Sequence, residues 1–269
     1  LKDLPIEIGK LKSLTKLDCY NNKLSALPDG IDQWKCLEIL ICSMNKLTSL
    51  PSGIDQFKLL QVLDCCHNQM TTLPDGIDQL KCLVELNCSY NQITTLSLGV
   101  YRLTQLRILD CSYNPLIALL PELGQLKNLR KLHCYHTHVT SLPAEIGDLE
   151  CLITLDCSYN RLTSLPSEIG KLISLKELNC DGNEISTLPH EIGQLSHLVV
   201  LSCSWNGLVS LPEEITRMNH LQGLYCVGHN IRKISENLKS FIKRNGVDFH
   251  SSYIAMSFCR ARSPKRPKS

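Results

Sequence analysis

The chain has 269 residues, 43% of them hydrophobic, with 28 Lys and Arg against 26 Asp and Glu for a formal net charge of +2. No run of about 18 apolar residues occurs, so no membrane-spanning helix is expected. Length alone suggests one or two domains.

An internal repeat overrides that suggestion. The pattern L-x-x-L-x-C-x-x-N-x-L recurs with a fixed step of 23 residues, opening at Leu14, Leu37, Leu60, Leu83, Leu106, Leu129, Leu152, Leu175, Leu198 and Leu221. Such a unit cannot bury its leucines alone; stacked neighbours bury them for each other. The chain opens at Leu1, half-way through a repeat, as a trimmed fragment would. Residues 1–13 are the back half of a unit: Leu4, Pro5, Ile8 and Leu11 match Leu27, Pro28, Ile31 and Trp34.

In each full unit the L-x-C segment reads as a short strand. In the first these inward residues are Leu17 and Cys19. The asparagine that follows (Asn22, Asn45, Asn68) sits where the chain leaves the sheet, its amide free to satisfy backbone groups of adjacent coils. The return path L-P-x-x-I-x-x-L has apolar residues three or four apart, the spacing of one 3₁₀ or helical turn. Ten of the 15 cysteines, from Cys19 to Cys226, fill one inward position. They read as small buried apolar residues. Strands about 4.8 Å apart hold them too far apart for disulfides, and so many buried thiols fit a reducing compartment, the cytoplasm.

Four departures interrupt the regularity. Ser97 replaces proline in repeat four, and Leu120 with Pro121 shifts it in repeat five. Thr137 takes the asparagine slot in repeat six and His229 in repeat ten. The first three are neighbours, which is consistent with drift in tolerant loops or with a locally reshaped surface. After Ile234 the pattern fades. Ser235 caps an expected helix to about Arg244, stopped by Gly246. Residues 235–259 are expected to close the last coil, with Val247, Phe249, Tyr253, Ile254, Met256 and Phe258 in the lid. Residues 260–269 carry five positive charges and two prolines and read as a disordered basic tail. Without those five charges the remainder carries −3. With no basic stripe, nucleic acid is not an expected partner.

Residues 1–241 resemble leucine-rich-repeat proteins of the 23-residue, Ras-group-like intracellular class, and also the repeat effectors of intracellular bacterial pathogens. The resemblance implies an α/β fold: a right-handed horseshoe with a concave parallel β-sheet and convex 3₁₀ or short-helix turns. It also implies protein binding on the concave face without intrinsic chemistry, as an effector or signalling scaffold. Cysteine where many members carry leucine departs from the family. The alternative is the recognition part of a larger enzyme, such as a ubiquitin ligase or kinase, whose catalytic domain lies elsewhere.

Two stripes should face a partner. The position between Leu and Cys gives an acidic, polar row that includes Asp64, Asp110, His133 and Asp156. The position before the asparagine gives an aromatic row: His67, Tyr90, Tyr113, His136, Tyr159 and Trp205. Exposed aromatics suit interface centres, and the aspartates suit Lys or Arg on a partner. His133, His136 and His138 lie close in sequence, but on different rows and a turn, so convergence on a metal is not expected. Cys66 and His67 point to opposite faces. No catalytic residue, metal or cofactor is expected, and the chain is expected to be a monomer.

Overall fold

The computed structural model describes residues 1–28, 30–228, 231 and 234–250. His229, the expected lid residues beyond 250 and the basic tail lie outside them. Each repeat contributes one three-residue strand: β1 (Lys16–Asp18), β2 (Ile39–Ile41), β3 (Val62–Asp64), β4 (Glu85–Asn87), β5 (Ile108–Asp110), β6 (Lys131–His133), β7 (Thr154–Asp156), β8 (Glu177–Asn179), β9 (Val200–Ser202) and β10 (Gly223–Tyr225). All pair in parallel, in sequence order and in register, as in Leu132↔Leu155. The sheet goes one strand further than the repeat count. After the helix α2 (Glu236–Asn245), β11 (Asp248–His250) pairs Gly223 with Asp248. Ser235 caps α2 by accepting the Leu238 N–H at 3.1 Å, and Gly246 ends it at φ 60°. The helix lengthens this last coil, so the pairing step becomes 25 residues where it was 23.

Leu, Ile and Cys from every coil form one continuous core, in which most side chains are fully buried. The fourteen described cysteines are free. In most of the ladder each Sγ donates to the carbonyl one strand on: Cys65 to Asn87 (3.3 Å), Cys111 to His133 (3.4 Å), Cys180 to Ser202 (3.3 Å). The asparagines form a second ladder. Asn45 Nδ2 donates to the carbonyls of Cys19, Cys42 and Ser43, while its Oδ1 accepts the Leu24 N–H at 3.0 Å. Asn68, Asn91, Asn114, Asn160, Asn183 and Asn206 repeat the same bonds. Each of these asparagines thereby satisfies buried groups of the coil before it.

The convex turns are 3₁₀ segments such as Ser167–Lys171, opened by proline at the preceding position. They stack through one small residue per junction. In the opening half unit Gly9 follows Ile8. In repeats one to four the glycine precedes the central apolar residue: a methyl on Gly53 would stand 3.2 Å from Asp32 Cβ. From repeat five it follows that residue: a methyl on Gly147 would stand 2.6 Å from the Glu168 carbonyl oxygen. The changeover falls between Gly99 and Gly124, where the two irregular turns lie. There Leu98–Tyr101 forms one α-helical turn, α1, and Tyr101 is fully buried. Leu120, standing where proline belongs, has an N–H to satisfy, and it donates to the Tyr101 hydroxyl at 3.3 Å. The departures in repeats four and five therefore compensate one another inside the fold.

Candidate functional site

The aromatic row is built on an unusual backbone. The residue before each asparagine adopts left-handed φ: 50–56° at Asn21, Met44, His67, Tyr90, Tyr113, His136, Tyr159 and Trp205, and 62° and 76° at Gly182 and Gly228. Such φ is rare for side chains with a Cβ. Here the ladder imposes it, because each N–H must donate across to the next coil, as Tyr90 does to Ser112 and Tyr113 to Tyr135. The glycines in this column were the sequence signal for positive φ.

Held this way, the rings stack face to face along the solenoid. His67–Tyr90 and Tyr90–Tyr113 centroids are 3.9 Å apart, Tyr113–His136 4.5 Å and His136–Tyr159 4.4 Å, with interplanar angles of 5° to 16°. The stack ends where the slot becomes glycine. Tyr159 then lies over Gly182, whose added methyl would meet its Cδ1 at 2.7 Å. Trp205 lies likewise over Gly228, separate from the stack. Five expected site residues therefore form one ridge, with Trp205 beyond a gap. Tyr159 remains 49% exposed and Trp205 57%.

The acidic row has a local duty that sequence reasoning missed. Asp64, Asp110 and Asp156 each accept, at Oδ1, the N–H two residues on: Cys66 (3.1 Å), Ser112 (3.0 Å) and Ser158 (3.1 Å). Asn87 and Asn179 do the same. This Asx turn ends each strand whose row residue is Asp or Asn, which explains why the two interchange there. Partial burial pushes the Asp110 carboxyl up from its ordinary value, against the Ser112 hydrogen bonds and His133, with Asp156 adding to the rise. In repeat nine Ser202 is too short for the turn. Asp181 from repeat eight substitutes, accepting the Ser204 N–H and the Ser202 hydroxyl. Burial pushes Asp181 up to about 6.

In-register pairing brings Asp110, His133 and Asp156 side by side. Tyr135 stands edge-on to Tyr113 (5.3 Å), to His133 (6.5 Å) and to His136 (6.0 Å). Between the ridge and the strands of repeats five to ten lies a concave basin of about 160 Å³, walled by Tyr113, Tyr135, Tyr159 and Tyr225 and floored partly by Asp156, Glu177 and Asp181. Tyr135, Glu177, Asp181 and Tyr225 were not among the expected site residues. Glu177 belongs to the outward position before each inward leucine, a third concave row.

A model described as a leucine-rich repeat region matches residues 37–139 and 118–184, over half of the chain, and a second, described as leucine rich repeat, matches 174–195.

The chain belongs to the leucine-rich-repeat proteins.

Among solved structures, a leucine-rich-repeat protein of Leptospira interrogans is 31% identical, with 94% of this chain and 70% of that one covered and a TM-score of 0.75. The functional domain of InlJ from Listeria monocytogenes is 27% identical over 90% of this chain and 54% of that one, with a TM-score of 0.68. That domain is described as including a cysteine ladder, and the in-register cysteines here form one as well. A chain in the crystal structure of PEPR1–AtPEP1 shares the fold at a TM-score of 0.79 and 24% identity, over 94% of this chain and 36% of that one. No curated protein sequence matches. Leucine-rich repeats generally act as non-catalytic scaffolds for binding proteins. No helix among the described residues is long and apolar enough to cross a membrane.

Proposed function

We propose that this leucine-rich-repeat protein binds a partner protein on its concave face, with the ridge from His67 to Tyr159 at the centre of contact. One observation carries the reading: five stacked rings are presented together at the edge of the sheet. Stacked rings are already ordered, so little rotamer entropy remains to be lost on association. Ten in-register strands at about 4.8 Å make a face on the order of 45 Å long, the scale of a protein surface. Trp205 extends it, and Asp64, Asp110, His133 and Asp156 line its inner side. The free, buried thiols favour a reducing compartment, the cytoplasm.

The test uses glycine, because Gly182 and Gly228 already occupy the ridge slot. A random peptide-display library is panned on the full chain. The enriched peptides are then measured against a Tyr90→Gly/Tyr113→Gly variant. The reading expects a loss of at least tenfold in affinity; undiminished binding would move the interface elsewhere.

A further inference from the structure

The concave basin beside the ridge has its own chemistry. Its walls are the rings of Tyr113, Tyr135 and Tyr159, with Tyr225 at the far end, and no Lys or Arg lines it. The Tyr225 ring reaches that end because Gly223 has no Cβ, which would stand 2.9 Å from Tyr225 Cε2. Three acidic residues line the same basin: Asp156 and Glu177 on adjacent strands and Asp181 on the turn beyond. Asp181 is 7% exposed and engaged by Ser202 and Ser204. Asp156 uses only Oδ1, for the Ser158 N–H and hydroxyl. Its Oδ2 and the exposed carboxylate of Glu177 form no hydrogen bond or ion pair among the described residues. Carboxylates beside aromatic rings favour a cation that is planar, weakly hydrated and rich in donors.

We propose that the basin takes an arginine side chain presented by the partner protein, its guanidinium packed against the rings of Tyr135 and Tyr225, which stand outside the face-to-face stack, and paired with Asp156 and Glu177. This rests on the concave-face reading and names the chemistry of the residue that anchors it. Lysine fits less well, since a compact ammonium neither stacks as a plane nor bonds two carboxylates as a fork. A cavity of about 160 Å³ suits one long side chain and is too small for an element of secondary structure.

The probe is Nα-acetyl-L-arginine amide, titrated into the full chain with ¹³C-labelled tyrosine and followed by NMR at Tyr135, Tyr159 and Tyr225. Saturable shifts at these rings are expected. The lysine analogue should bind at least fivefold more weakly, and the neutral norleucine analogue should give no saturable shift. The Asp156→Asn/Glu177→Gln variant should bind arginine about tenfold more weakly, because charge-assisted bonds are lost. Asparagine already serves the same turn at Asn87 and Asn179, so this variant keeps the Asx geometry. Absence of saturable shifts, equal binding of the lysine analogue, or indifference to the double substitution would each overturn the proposal. If the arginine probe fails while the glycine ridge variant still loses its selected peptides, only this inference falls. If the selected peptides ignore the ridge as well, the concave-face reading falls with it.

Discussion

Thr137 is the described break in the asparagine ladder, and replacing it with asparagine should stabilise the protein. Elsewhere the N–H two residues after the ladder position donates to the next coil's amide oxygen, as Ile93 does to Asn114 at 2.9 Å and Val139 to Asn160 at 3.1 Å. Leu116 is fully buried, and its N–H makes no hydrogen bond among the described residues. The Thr137 hydroxyl is turned the other way, toward the Cys134 carbonyl and Asn160 Oδ1. In Thr137→Asn the new Oδ1 would accept from Leu116, and Nδ2 would donate to the Cys111 carbonyl, completing the pattern. Relieving a buried unsatisfied donor is worth roughly 1–3 kcal/mol, and the added bond roughly 0.5–1.5 kcal/mol. Loss of the Thr137–Asn160 bond subtracts about 1 kcal/mol. The net is about 1–2 kcal/mol in favour of the variant. With a urea m-value of about 3 kcal/mol/M for a chain of this size, the midpoint should rise by about 0.5 M. Native-state hydrogen exchange at the Leu116 amide should slow in parallel. A midpoint that stays put or falls, with Leu116 exchanging as before, would refute the ladder reasoning.

Three further outcomes follow from the same geometry. Tyr90→Gly/Tyr113→Gly should change stability by no more than about 1 kcal/mol, because left-handed strain of roughly 1 kcal/mol per residue is relieved as ring contacts of similar size are lost; thermal unfolding checks this. Burial pushes the Asp181 carboxyl up to about 6 in the folded state, from its ordinary 3.8, so it favours the folded state fully below pH 3.8 and loses that contribution as pH rises through 6. The difference in unfolding free energy between the native chain and Asp181→Asn should therefore shift by on the order of 2 kcal/mol between pH 7 and pH 4, in favour of the native chain at the lower pH; a flat difference would contradict it. In the folded protein Cys36, Cys82 and Cys151 should alkylate well before the ladder thiols Cys65, Cys111 and Cys157, whose burial both shields them and pushes their pKa up; site-by-site mass mapping reads this directly.

What the sequence disclosed is what periodicity controls. Register, the inward Leu and Cys, the 3₁₀ returns and the Ser235-capped helix follow from spacing and end signals. The left-handed backbone under the ridge was written only in Gly182 and Gly228, which a search for aromatics passes over. Aspartates at one face of a strand read equally as partner contacts or Asx turns; only the distance from Asp110 Oδ1 to the Ser112 N–H separates the two. The bond between Tyr101 and Leu120 joins two irregular turns, and a single sequence carries no trace of such pairing. The eleventh strand hid because α2 changes the step from 23 to 25 residues. The basin escaped notice for a related reason: Glu177, Asp181 and Tyr225 belong to three different columns, and only curvature and ring orientation bring them around one space.

Hydroxyl-radical footprinting of the full chain, with and without a saturating display-selected peptide, asks most directly whether the stacked ridge is what a partner covers. Protection should concentrate on Tyr90, Tyr113, His136 and Tyr159. Leu59 and Ile173, which are 47% and 57% exposed in the turns leading into the strands, should react as before. Unchanged ridge reactivity beside protected Leu59 and Ile173 would contradict a concave binding face.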